Sequence, residues 1–179
     1  MLKQYYPYEC ADSVFAVDYA KLHAAGMRAV LFDIDNTLVH HGADATPEIE
    51  ALFPRIHAAG LKTLLLSNND ATRCERFIRN IDTPYLCDAD KPSPEGYRKA
   101  AEMLGVTPET CVVIGDQIFT DILGANRSGM ASILVKFIRL PEENRIGKRR
   151  YLEYLVLFLR RMQPKYCHRL GDILTKEGN

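Results

Sequence analysis

Asp33 and Asp35 stand two residues apart, with a hydroxyl at Thr37, where the apolar run Ala29-Val30-Leu31-Phe32 ends. A run of that kind reads as a strand buried on both faces. Buried strands seldom finish on spaced acids unless the acids act at the mouth of a sheet, and in open α/β sheets ligands sit at the carboxyl ends of the strands. Two carboxylates there can divide nucleophilic and acid–base duties, or hold a hard cation through oxygen. The same residues have duller readings. Asp and Asn commonly cap turns. Spaced acids also open EF-hand calcium loops, but Leu38 stands where that loop needs glycine, and no glutamate follows at the required interval. The rest of the chain decides between them.

Three further places carry reactive side chains at the expected ends of elements. The apolar stretch Leu61–Leu66 stops at Ser67-Asn68-Asn69, offering a hydroxyl and amides. Cys111–Gly115 stops at Asp116, with Asp121 five residues on. Lys91 opens the helix start Lys91-Pro92-Ser93-Pro94, where a cation is the wrong sign for the helix dipole and is better explained by service to an anion. Acids that meet at one point repel unless a cation neutralises them, and an oxygen-only set suits magnesium rather than zinc. Local alternatives stand beside each. Ser67 and Asn68 can cap a helix, Lys91 can be a surface lysine beside Asp88 and Asp90, and Asp121 can be an N-cap. His40 and His41 read as a solvated loop pair, and Cys74, Cys87 and Cys111 as packing residues.

The elements that must position these groups alternate. Asp12 or Ser13 caps a short helix closed by Gly26. Thr46 and Pro47 open a helix ending at Gly60. A polar helix covers Ala71–Asn80, a short strand lies near Tyr85–Cys87, and a helix runs to Leu104 before Gly105. A helix from about Asp121 leads to Gly129, and Ser132–Val135 is the last strand. Strands alternating with helices imply a parallel sheet with right-handed crossovers. The expected fold is therefore a three-layer α/β sandwich around a five-stranded, Rossmann-like parallel sheet. Residues 1–140 form the catalytic core, and 141–179 a basic helical extension.

At 179 residues and 47% hydrophobic content, the chain has ample material for one core. It lacks a signal-peptide pattern and any run long enough to span a bilayer, which points to the cytoplasm, possible peripheral membrane contact apart. Five cysteines, an odd number without a Cys-x-x-Cys, fit reduced thiols better than disulfides or zinc. Net charge is zero, yet Lys136–Leu170 holds ten Lys or Arg against three Glu, so this stretch carries +7 and the remainder −7. Such a tail either meets something anionic or is simply a solvated face. Within it, Tyr151–Leu159 is apolar nearly all round between Lys148-Arg149-Arg150 and Arg160-Arg161. It is too short to cross a bilayer, so it docks on the body, pairs with a second copy as a homodimer, or lies at a membrane surface. No nucleic-acid motif accompanies the basic charge, and no nucleic-acid partner is expected.

Taken together, Asp33-x-Asp35-x-Thr37, Ser67 after an apolar strand, Lys91, and Gly115-Asp116-x-x-x-x-Asp121 resemble the four signatures of the haloacid dehalogenase (HAD) superfamily of phosphohydrolases. The resemblance covers roughly Ala29 to Val135. Leu-Ser-Asn-Asn, Asp-Lys-Pro-Ser-Pro and Gly-Asp-Gln-Ile-Phe-Thr-Asp are similar to the YqeG-type branch, which is related to phosphatidylglycerophosphate phosphatases. The resemblance implies Asp33 as nucleophile forming an aspartyl-phosphate and Asp35 as general acid and then base. It implies Mg2+ held by the carboxylates of Asp33 and Asp116 with the Asp35 backbone carbonyl. Ser67 and Lys91 would contact the phosphoryl group, Thr37 and Asn68 would support substrate binding, and Asp121 would stand behind the metal. Both connections where such enzymes insert a cap are short, so the fold is capless, and an open site implies a bulky phosphorylated substrate such as a membrane phospholipid. Alternative functions are a soluble phosphatase of sugar phosphates, nucleotides or phosphoproteins, and a non-catalytic partner-binding protein of the same fold.

Overall fold

The computed structural model describes residues 2–139 and 147–175. Six strands, β1 (Glu9–Ala11), β2 (Ala29–Phe32), β3 (Lys62–Leu66), β4 (Tyr85–Leu86), β5 (Cys111–Gly115) and β6 (Ala131–Val135), form one sheet. Its order is β1-β6-β5-β2-β3-β4, and every pair is parallel. Among the described residues six α-helices accompany it: α1 (Tyr19–Ala24), α2 (Pro47–Ala58), α3 (Ala71–Phe77), α4 (Pro94–Leu104), α5 (Leu123–Arg127) and α6 (Lys148–Arg161).

The central strands are buried on both sides, and their alternate residues feed two cores. Val30 and Phe32 of β2 pack with Ile49, Leu52, Phe53 and Ile56 of α2 and with Leu22 and Phe77. Ala29 and Leu31 pack the other way, with Tyr97, Ala100, Ala101 and Leu104 of α4. The sandwich thus has helices on both faces, as a wholly parallel sheet requires. Local chemistry explains the two long flanking helices. Thr46 caps α2 by accepting from the Ile49 N–H, Pro47 fills the first turn, and the buried residues recur at i, i+3, i+4 and i+7. Gly105 closes α4 with φ of 63°, a left-handed position suited to glycine.

Four expectations are corrected. The sheet has six strands rather than five, because β1 pairs with the outer edge of β6. Three residues are too few to show a period, so β1 reads in sequence as irregular chain. The first helix is two elements: a 3₁₀ turn Val14–Ala16 capped by Ser13, and α1 capped by Asp18. α3 ends at Phe77, short of Asn80. Cys74 and Cys87 are joined by a disulfide, leaving Cys10, Cys111 and Cys167 free among the described residues. Sequence spacing could not reveal that pair, because it depends on α3 lying over β4. The expected boundary at 140/141, and the charges of Glu142, Glu143 and Arg145, lie outside the described residues.

The last described segment is stitched to the first. Arg160, buried on α6, donates to the carbonyl of Pro7 at 3.0 Å. The Arg169 backbone N–H donates to Tyr8 O at 3.1 Å, and its guanidinium to Tyr6 O at 2.9 Å. Nδ1 of His168 lies 2.7 Å from a carboxylate oxygen of buried Glu9. The N–H groups of Asp18 and Thr175 bond Ile173 O and Ala16 O at 2.7 and 2.9 Å.

Candidate active site

Along the sheet, the chain runs from β2 outward to β3 and β4, then returns to β5 on the opposite side of β2. The crevice outside the carboxyl ends of β2 and β5 is the switch point where ligands bind in such sheets. Asp33 follows β2, Ser67 follows β3 and Asp116 follows β5. The register pairs Phe32 with both Leu65 and Ile114, bringing the three strand ends level.

Lys91 anchors the cluster. Its Nζ lies 2.5 Å from Asp33 Oδ1 and 2.8 Å from Asp121 Oδ1, with the ammonium almost fully buried. Asn68 fixes the backbone of this lysine, accepting from its N–H at 2.7 Å and donating to its carbonyl at 3.1 Å. Asn68 is therefore occupied in holding Lys91. Ser67, also buried, accepts from the Asn69 N–H at 3.1 Å and lines the cleft with Asp33 and Lys91. The Thr37 hydroxyl lies 3.3 Å from both Asp33 Oδ2 and Asp116 Oδ1, between the two carboxylates rather than out in the cleft.

Asp121 is more than a helix cap. The helix expected from this residue begins earlier, with a π-turn over Ile118–Ile122 in which Ile122 N–H bonds Gln117 O at 3.2 Å. Such turns recur at functional sites because they re-aim side chains. Here the turn sets Asp121 into the cluster, and a Cβ at Gly115 would fall inside its carboxyl group. Asp33, Asp116 and Asp121 each offer an oxygen within 4.8 Å of the others, and all three are buried. That all-oxygen donor set fits a hard divalent cation.

The electrostatics show how tight the cluster is. Burial, joined by the charges of Asp121 and Asp116, pushes the Asp33 carboxyl up to about 7 against the pull of Lys91. Burial and Asp121 push Asp116 up to about 6, against Arg150 and Lys91. Lys91 moves the other way from a normal buried amine. Burial alone would lower it, but Asp121 and then Asp33 outweigh that and hold it firmly protonated.

Asp35 lines the same cleft but bonds a separate set of partners. Its carboxylate accepts from Asn69 Nδ2 at 2.6 Å, and from Arg73 and the Gly42 N–H at 2.9 Å each. Burial raises its pKa, but the bonds from Gly42, Arg73 and Asn69 more than offset this, and the net shift is downward. His41, exposed, approaches it to 3.6 Å.

Sequence reasoning missed three contributors. Arg73 lies in a helix whose polarity reads as a solvated face, yet it is half-buried and bonded to Asp35 at 2.9 Å. Asn69 closes the Ser67-Asn68-Asn69 stop, where the sequence alone gives it no role, and it bonds Asp35. Arg150 begins α6, reaches back to donate to the carboxylate and carbonyl of Asp116, and bonds Glu153 at 2.9 Å. Glu153 in turn accepts from the Ile118 N–H at 2.8 Å, tying α6 to the π-turn. Only the tail's density of cations hinted at Arg150.

The cleft over Asp33, Asp35, Ser67 and Lys91 measures about 210 Å3. This is below the roughly 300 Å3 at which sites begin to enclose a small molecule. From the end of β2 to Lys91 the chain holds only α2, β3, α3 and β4, with no cap domain. Past Asp116 a groove of about 810 Å3 opens between α6 and the carboxyl ends of β1 and β6.

A sequence profile of haloacid dehalogenase-like hydrolases matches residues 42–129. A Bacillus subtilis protein described as "Probable phosphatase YqeG" is 35% identical over 137 residues, covering 75% of this chain and 80% of that one. The chloroplastic phosphatidylglycerophosphate phosphatase 1 of Chlamydomonas reinhardtii is 28% identical over 140 residues, covering 73% of this chain but 52% of its own length. Among solved structures, the 4-nitrophenylphosphatase of Thermotoga maritima superposes with a TM-score of 0.55 at 12% identity, over 69% of this chain and 90% of its own. A parallel sheet carrying acids at the ends of its middle strands, matched by that profile, makes this chain a haloacid dehalogenase-like hydrolase. Within the family it falls in the branch that contains the B. subtilis YqeG protein, a branch of phosphatases.

Proposed function

We propose that the chain is a magnesium-dependent phosphomonoester hydrolase working through an aspartyl-phosphate on Asp33, and that its substrate is phosphatidylglycerophosphate. The observation carrying the chemistry is Lys91 at 2.5 Å from Asp33 Oδ1, a buried cation on the carboxylate that would attack phosphorus. Magnesium, held by Asp33, Asp116 and the Asp35 carbonyl, would supply the positive charge that lets a carboxylate approach a phosphate. An Asp33 oxygen attacks phosphorus while the bond from phosphorus to the alcohol oxygen breaks, and Asp35 gives that oxygen its proton. Water then attacks phosphorus, Asp35 takes its proton, and phosphate leaves with the Asp33 carboxylate restored. Asp35 is held ionised by Gly42, Arg73 and Asn69, which suits the second half. The first half requires the Arg73 bond to loosen. Ser67 and Lys91 bind the phosphoryl oxygens, and Thr37 and Asn68 hold Asp33 and Lys91 in place.

The lipid substrate is supported by three observations. The cleft, at about 210 Å3, is too small to enclose a whole phospholipid and leaves all but its phosphorylated end outside. The neighbouring groove mixes apolar Phe137 and Leu157 with cationic Arg139 and Arg150, the lining an anionic amphiphile needs. One relative carries that activity in its name. A soluble substrate is the second reading, favoured by a Methanopyrus kandleri glyceraldehyde 3-phosphate phosphatase that is 45% identical over 60 residues. Phosphate release from detergent-dispersed phosphatidylglycerophosphate, sugar phosphates and an aryl phosphate separates the two. The lipid is expected to be turned over with the highest kcat/KM. Turnover of soluble metabolites alone refutes the substrate assignment.

A further inference from the structure

Helix α6 is built inside out. The residues it turns toward the body include Glu153 and Arg160, both buried, beside the apolar Val156 and the partly buried Leu157. The residues it turns to solvent are Tyr151, Leu152, Tyr154, Leu155, Phe158 and Met162, each 53–67% exposed. At 100° per residue these six share one broad face, opposite the buried one. A helix meant for water has the reverse pattern, and an apolar surface of this kind marks an interaction site. Cations flank it: Lys148 and Arg149 before, Arg161 and Lys165 after, all exposed. Between Gly147 and Leu170 the only acid is Glu153, which is buried.

The charge pattern selects the occupant. A two-fold pair of α6 helices, antiparallel or parallel, would set cationic ends against cationic ends with no exposed acid between them. An anionic bilayer matches both features at once, since apolar side chains enter the boundary between headgroups and acyl chains while flanking Lys and Arg meet lipid phosphates. Fourteen residues make a helix of about 21 Å, against a hydrocarbon core of about 30 Å. No helix of the described residues is long and apolar enough to cross a membrane. The helix must then lie flat. Its apolar face begins at Tyr151, one residue from the arginine that bonds Asp116.

We propose that α6 is an interfacial anchor that docks this protein on an anionic lipid surface. The proposal rests on the lipid-substrate reading for its purpose, but not for its test. The full chain is sedimented with vesicles of phosphatidylcholine alone or with phosphatidylglycerol added, comparing wild type, Asp33→Asn, and Leu152→Glu/Leu155→Glu. Wild type and Asp33→Asn are expected to pellet with the anionic vesicles only and to be released by salt. The double variant, altered at exposed positions away from the cleft, is expected to bind about tenfold or more weakly while hydrolysing a soluble aryl phosphate at the wild-type rate. Equal pelleting of the double variant overturns the proposal. So does wild type left in the supernatant, or a vesicle-free dimer that the double variant dissolves. Hydrolysis of detergent-dispersed lipid without vesicle binding sinks the anchor and leaves the substrate standing. Vesicle binding without lipid hydrolysis does the opposite.

Discussion

Replacing Asp33 with Asn should abolish turnover and yet stabilise the metal-free protein at alkaline pH. The Asp33 carboxyl sits at about 7 in the fold against 3.8 ordinarily. A gap of about 3 units at 1.36 kcal/mol each is about 4 kcal/mol, a ceiling on what the ionised side chain takes from stability. The sign follows from its being a raised carboxyl. The folded state binds the proton more tightly, so this stability is fully present below 3.8 and is lost as pH rises through 7. Asn cannot ionise and escapes that loss, although Lys91 forfeits one of its two carboxylate partners. Halving the ceiling to about 2 kcal/mol, at about 2–4 °C per kcal/mol for a chain of this size, gives a midpoint higher by about 4–8 °C at pH 8. The chain has no tryptophan, so melting in chelator is followed by circular dichroism. At pH 5 the advantage should shrink toward zero. Magnesium should reverse the order at pH 8, since saturation at about 100 times Kd adds about 2.7 kcal/mol to whichever protein binds it. Phosphate release should fall by about 10³-fold or more. An Asn variant less stable than wild type in chelator at pH 8, or one that still turns over substrate, would refute the account of the cluster.

Arg73→Gln removes the cation bonded to Asp35, so the Asp35 carboxyl should rise and the acid limb of the pH–rate profile move to higher pH; an unmoved limb removes Arg73 from the chemistry. Lys91→Ala strands Asp33 and Asp121 without their shared cation and should cost about 3–5 kcal/mol in chelator near pH 8, read by denaturant midpoint. Gly124→Ala would drive a methyl group into the Tyr97 ring, whose hydroxyl donates to Thr120 O within the π-turn, so a loss of about 1–3 kcal/mol is expected, with weakened activity. Alkylation of denatured, unreduced protein should label three of its five cysteines, and labelling of all five refutes the Cys74–Cys87 bond.

The middle of the sheet could be read from the chain because its signals are local. Buried runs ending in Asp33, Ser67 and Asp116 announce strands and their working ends together, and Thr46-Pro47 and Gly105 punctuate helices by known backbone chemistry. What could not be read depends on distant pairing. β1 becomes a strand only because β6 offers a free edge, and its three residues carry no period. Arg150 lies 34 residues from the Asp116 it bonds, and nothing near it in sequence marks that partner. Asp121 reads equally as a cap or a member of the cluster until the π-turn gives it a direction. Arg73 and Cys74 sit side by side on α3, one serving Asp35 and the other bonded to Cys87, and they read as a solvated cation and a packing thiol until α3 is laid on the sheet.

The stitching of residues 160–175 to residues 6–18 bears on how the protein is made. The segment that carries β1 and the carbonyls of Tyr6, Pro7 and Tyr8 leaves the ribosome about 150 residues ahead of their partners Arg160 and Arg169. Contacts so far apart along a chain form late, because loop closure must precede their reward. β1 therefore waits without β6 through most of synthesis, a period when unpaired strands invite association. Trimming the tail to probe the membrane would strip the β1 segment of those partners in the finished molecule, whereas point changes on the outer side of α6 leave the seam closed.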